Sequence, residues 1–153
     1  AITMETPKVL KRTASEKIPA NVKESQKFLY GSLISGFSVS VSTTSFKDTI
    51  QMPLDKVVEL ELKGFEQAYK AKDVFVKQDT YNTGEGITGQ KAYGSMTVFS
   101  EEDNKTVKLA YQILVFAQNG GLQEIIITHL DNDEFGAQIA DRIINSVELK
   151  KVN

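Results

Sequence analysis

His129 is the chain's only histidine, and Asp131 and Asp133 follow it closely. An imidazole near carboxylates is the material of a general base. A hydrolytic triad also needs a nucleophile held against that imidazole, as on the sharp G-x-S-x-G turn. No such turn occurs here, and zero cysteines leave no thiolate nucleophile and no zinc–thiolate site. A small hydrolase using His129 therefore stands as an alternative, against a strand-end histidine that is structural or solvated. Gly84-Glu85-Gly86-Ile87-Thr88-Gly89 matches G-x-G-x-x-G literally. That fingerprint binds a dinucleotide only when a helix starts at the loop and aims its N–H groups at the pyrophosphate. The residues after Gly89 read as strand, so the segment is a loop between antiparallel strands. Asp131-x-Asp133-x-x-Gly136 opens like a calcium loop, but Phe135 and Arg142 occupy ligand positions. Helix capping accounts for these aspartates better. No pair of carboxylates stands out, and neither a cofactor nor a metal is expected. Tyr81 and Tyr93 flank the glycine loop near Lys91, as an edge for stacking or simply as packing.

The elements that position these residues centre on Thr106–Val147. Val107, Leu109, Tyr111, Ile113, Val115 and Ala117 alternate on one strand face, with Ala110, Leu114 and Phe116 on the other. Asn119-Gly120-Gly121 suits a tight hairpin turn, and Leu122–Leu130 returns as a strand around Ile125-Ile126-Ile127. Strands apolar on both faces belong in a sheet covered on both sides. Asp131 with Glu134 fits a capping box, and either aspartate suits the N-cap. Phe135, Ile139, Ile143 and Val147, widened by Ala140 and Ile144, make one buried helix face.

Upstream, Phe28–Thr43 reads as β, with Phe37, Val39 and Val41 buried and Ser38, Ser40 and Ser42 on a polar face. Leu33 and Ile34 precede Gly36, which marks a bend or bulge. Ser42–Gln51 reads as a polar connection. Pro53 opens a helix whose Leu54, Val57, Val58, Leu62, Phe65 and Tyr69 follow helical spacing. Glu59–Lys63 and Glu66–Lys70 are i,i+4 pairs on its outer side, and Gly64 within it suggests close packing. Asp73–Tyr81 is a short strand, Asn82–Gln90 a loop, Lys91–Phe99 a strand and Ser100–Lys105 an acidic turn.

A chain of 153 residues suits one domain. The formal net charge of −2 provides no field to attract nucleic acid or anionic lipid. No apolar run approaches the roughly 20 residues of a membrane helix, so no membrane insertion is expected. Residues 1–26 are polar, with Pro7 and Pro19, and read as a flexible arm or a linker from an upstream lipid anchor, with partner docking as the alternative. Ala1 in place of Met fits a mature or trimmed form.

The order strand, helix, antiparallel strands and closing helix resembles the Mog/PsbP-like fold. Gly36-Phe37-Ser38-Val39-Ser40-Val41 resembles that family's opening strand. Thr88-Gly89-Gln90-Lys91-Ala92-Tyr93 resembles its mid-chain segment, and Ala140–Val147 its closing helix. The resemblance runs from about Phe28 to Leu149. It implies an α/β/α sandwich with no shared catalytic residues, and a non-enzymatic accessory, adaptor or binding role, in bacteria often exported or lipid-anchored.

The expected class is thus α+β, an antiparallel β-sheet sandwiched between helices, with a polar arm over 1–26 and a single domain over 27–153. The expected function is a non-catalytic binding or accessory module outside the cytoplasm, with a protein or small-molecule partner. A structural subunit of a larger assembly is the second alternative. The surface expected to meet a partner is the loop Thr83–Lys91, through Thr83, Gly84, Glu85, Gly86, Ile87 and Lys91, because loops at sheet ends often carry function.

Overall fold

The computed structural model describes residues 2–14, 18–33, 35–48, 53–101, 104–118 and 120–150. Its long elements are β3 (Val22–Tyr30), β4 (Phe37–Phe46), α1 (Leu54–Tyr69), β5 (Lys72–Asn82), β6 (Thr88–Ser100), β7 (Lys105–Gln118), β8 (Gly121–Leu130) and α2 (Glu134–Asn145). Short strands β1 (Ile2–Thr3), β2 (Lys11–Arg12) and β9 (Glu148–Leu149) complete them. A 7-stranded antiparallel sheet runs in the order β2-β3-β4-β8-β7-β6-β5, and β1 pairs with β9. The class is α+β.

The two strands expected to be covered on both faces, β7 and β8, are interior to this sheet. Alternate residues of β7 divide between two cores. Leu109, Tyr111, Ile113 and Val115 pack with Val57, Val58 and Leu62 of α1. Leu114 and Phe116 pack with Ala140, Ile143 and Ile144 of α2. Each fully buried isoleucine contributes about 1.5–3 kcal/mol, so the apolar period of each helix is what holds it to the sheet. Gly120 takes a positive φ of 71° in the β7–β8 turn.

Several expectations are corrected. Phe28–Thr43 is not one β segment but parts of two paired strands, β3 and β4, and Gly31 and Gly36, on either side of the break, both take positive φ. The expected polar connection from Ser42 is strand as far as Phe46, because β4 is held between β3 and β8. The expected domain boundary at residue 26 falls inside β3, and residues of the expected arm pair as β1 and β2. Asp133, and not Asp131, caps α2: its Oδ1 accepts the Gly136 N–H at 2.9 Å. Glu134 is then the first helical residue, so there is no Asp131–Glu134 capping box.

Phe135 is 72% exposed and leaves the expected stripe, because the buried Gly136 brings the helix start down onto His129. A Cβ on Gly136 would lie 3.0 Å from His129 Cβ. On α1 the ion pairs are Lys56–Glu59 and Lys70–Glu101, in place of the expected i,i+4 pairs. Nothing lies within 4 Å of where a Gly64 Cβ would stand, so that glycine serves no close packing. The expectations at Ile34, Asn119, Glu102 and Asp103, and over Thr49–Gln51, lie outside the described residues.

Candidate functional site

β4 turns a serine face toward α1. In an antiparallel sheet, directly opposed side chains share a face. Lys27 of β3 stands opposite Ser42, and Ser42 opposite Glu124 of β8. In the next row Leu29, Ser40 and Ile126 are aligned in the same way, and Ser38 faces Thr128. This is the face on which α1 lies, but α1 makes its main contacts with β6 and β7. Between its C-terminal half and β3, β4 and β8 runs a cleft of about 340 Å³. Leu29, Leu33, Phe65 and Ile126 form apolar walls, while Lys27 and Glu61 bring charge into it.

Lys27, Ser38, Ser40 and Glu61 line this cleft, and Ser42, Glu124 and Thr128 lie beside it on the same sheet face. Ser42 Oγ donates to Glu124 Oε2 at 2.9 Å. The Ser38 and Thr128 hydroxyls are hydrogen-bonded at 2.6 Å. The Glu61 carboxyl on α1 lies close enough to Glu124 on β8 and to Lys27 on β3 for both charges to act on it. Burial, first, and the charge of Glu124, second, push the Glu61 carboxyl up to about 7, with Lys27 pulling the other way. A carboxylate beside another negative charge is costly to ionise, so Glu61 holds its proton toward neutrality. The arrangement suits holding a polar head group with an apolar body beside it.

Glu61 and Glu124 were not singled out from the sequence. The legible signal was Glu124 itself, a charged residue beside Ile125-Ile126-Ile127 in a strand expected to be interior. Its partner is far away in the chain and meets it only through the tertiary fold.

The sequence-predicted residues are placed elsewhere. The long loop Thr83–Lys91 is a tight turn over residues 83–87, since β6 already begins at Thr88. Thr83 is buried, and its Oγ1 accepts the Ile87 N–H at 3.0 Å. The Gly84 N–H is held by the Glu148 carboxylate at 3.1 and 3.2 Å. Gly84, Glu85 and Gly86 are exposed and Ile87 is half-buried against the α2-side core. Lys91 belongs to β6, with its Nζ 5.5 Å from the Tyr93 ring centroid. No helix follows Gly89, which is buried where a Cβ would strike the Phe116 ring.

Tyr81 donates to the Ile144 carbonyl at 2.8 Å, tying β5 to α2, while Tyr93 stands on β6 beside Lys91. His129 is buried, its Nδ1 2.8 Å from the Leu130 carbonyl oxygen, and it lines none of the clefts described here. Asp131 pairs with Lys108 at 3.0 Å, leaving Asp133 as the cap. Among the described residues no group of three or more metal-ligating side chains assembles, and no helix is long and apolar enough to cross a membrane.

A larger groove, of about 440 Å³, runs between residues 5–7 and α2 beside Phe135 and Ile139. Its charges, Glu5 and Arg142, already satisfy each other at 3.0 Å. The α1 cleft is the better candidate because it sets a buried carboxyl, Glu61, and the hydroxyls of Ser38 and Ser40 against apolar walls.

No protein-family model and no curated protein matches this chain. Among solved structures it is similar to LpqN of Mycobacterium tuberculosis, described as involved in cell envelope biogenesis. The two are 13% identical over 97% of this chain and 83% of LpqN, with a TM-score of 0.44. At that score the likeness carries no argument about function.

Proposed function

We propose that this chain is a non-catalytic binding module of the PsbP-like kind, an α/β/α sandwich working outside the cytoplasm, whose ligand seats in the cleft between α1 and the β3–β4–β8 face. One observation carries the proposal: a cleft of about 340 Å³ in which apolar walls meet converging charges and hydroxyls. That combination of shape and chemistry is the usual mark of a small-molecule site. The buried His129, engaged by a backbone carbonyl, favours binding over hydrolysis. The extracytoplasmic placement rests on the resemblance of the opening strand, mid-chain segment and closing helix, and the opening strand lines the cleft through Ser38 and Ser40.

The test is an amide-shift titration of the isotope-labelled chain with octylammonium, octanoate and octanol. Binding at the cleft moves the resonances of Leu29, Leu33, Ser40 and Ile126, and Leu33→Trp, which fills the cleft, removes the effect. Shifts confined to other surfaces, or none with any probe, would overturn the reading. The turn over residues 83–87 is the proposed surface should the partner be a protein. In that case a Glu85→Ala, Lys91→Ala double variant loses the partner and Leu33→Trp keeps it.

A further inference from the structure

We infer that β5 is the seam of a homodimer: two copies pair antiparallel along this strand, centred on Gln78, and join their sheets into one. The seam is separate from the cleft, so its failure would leave the cleft reading intact. β5 ends the 7-stranded sheet, and its 11 residues contrast with the 2 of β2 at the other edge. The helices make their main contacts with β6, β7 and β8, so neither shelters this edge. A long open edge is a template for another strand. Thr83 turns its backbone inward, its N–H donating to the Ile87 carbonyl at 3.0 Å. Backbone groups alternate in direction along an antiparallel strand, so Asn82, Thr80, Gln78 and Val76 turn theirs outward. Beside that row Phe75 is 66% and Val76 43% exposed, apolar surface that a second strand covers.

Charge selects both the occupant and the register. Asp73 takes a positive φ of 51° and the pairing with β6 shifts between Lys72 and Phe75, so the regular edge begins at Phe75. In a two-fold dimer, a residue of one copy lies opposite a residue of the other on the same face. An axis at Lys77 or at Asp79 would set that charge against itself. An axis at Val76 would set Asp79 against Asp73, and one at Phe75 would run through the shifted stretch. An axis at Thr80 would carry Phe75 and Val76 past the end of the partner strand at Asn82. At Gln78 alone the match is complete: Lys77 of each copy meets Asp79 of the other, so the pair forms twice. Both side chains are exposed. Phe75 then faces Tyr81 of the second copy, and Val76 faces Thr80. A lysine on an edge strand ordinarily keeps other strands away. Here β5 carries the answering carboxylate two residues on, which points to a second copy of the chain.

Sedimentation velocity of the full chain, from about 1 μM to about 1 mM, covers the range in which small interfaces dissociate. The mass should rise with concentration to twice that of one chain, and amide exchange at Gln78 and Thr80 should slow as it does. Lys77→Asp or Asp79→Lys alone places like charges across the seam at both pairs. Each should weaken the dimer by about tenfold or more. Mixing the two variants sets opposite charges across the seam again and should restore a dimer with one copy of each. A single-chain mass at every concentration would overturn the proposal. So would a dimer that survives both substitutions, or one in which the Gln78 and Thr80 amides exchange as fast as in the separate chain, since either places the contact elsewhere.

Discussion

Beside Ile125, Ile126 and Ile127 in an interior strand, the Glu124 carboxylate must find a partner; it accepts from Ser42, and its charge bears on Glu61. The cost of that arrangement depends on pH. Glu61 carries its proton in the folded chain up to about 7, against an ordinary value of 4.5. A raised folded value means the folded chain holds the proton more tightly than the unfolded one. The stabilisation is complete below about 4.5 and is lost as pH rises through about 7. Glu61→Gln keeps a neutral hydrogen-bonding side chain at every pH. It should match the parent near pH 5 and exceed it by about 1–2 kcal/mol at pH 8, after discounting for solvent screening. Urea unfolding at both pH values measures this, and equal midpoints for parent and variant at pH 8 would refute it. The same residue scale explains why Phe135 escaped its expected stripe. Period places it on the apolar face, but helix α2 starts so close to the sheet that only Gly136 fits against His129.

Among the elements, both helices and the long strands were legible, because each carries a period its partners must bury. α1 does so with Val57, Val58 and Leu62, and α2 with Ala140, Ile143 and Ile144. Boundaries were less legible. The β5–β6 turn is tighter than its glycine-rich sequence suggests, since Thr88, Gln90 and Lys91 have strand partners on both sides or one. Polar content alone does not mark a loop when neighbouring strands supply hydrogen bonds. Gly64 of α1 illustrates a residue with no packing duty: space is open around it. Gly64→Ala should therefore stabilise the chain by about 0.5–1 kcal/mol through helix propensity. Thermal unfolding checks it, and a lowered midpoint would mean that the cleft beside Gly64 needs that space.

On the scale of the whole molecule, the N-terminal segment is tied across the C-terminal end. Ile2 and Thr3 pair with β9, the Glu5 N–H donates to Ser146 Oγ at 2.8 Å, and Glu5 meets Arg142 at 3.0 Å. Ile2 and Met4 pack against the α2-side core. Deleting residues 1–7 should cost about 2–3 kcal/mol, most of it from those two apolar side chains, the exposed ion pair adding little. Chemical denaturation of the shortened chain measures it, and an unchanged midpoint would mean that the segment merely rests on the surface. The sequence by itself determined the α+β class, the interior strands and the helix faces, because apolar periods of two and about four report which side of an element must leave water. The serines of β4 were legible as a polar face, and Glu124 as a charge out of place. Only the tertiary structure decided that Glu61, Lys27 and Glu124 meet, since register between β3, β4 and β8 and the seat of α1 are set by long-range packing. That packing left α1 over β6 and β7, opened the cleft beside it, and set the Glu61 carboxyl in a buried place beside the charge of Glu124.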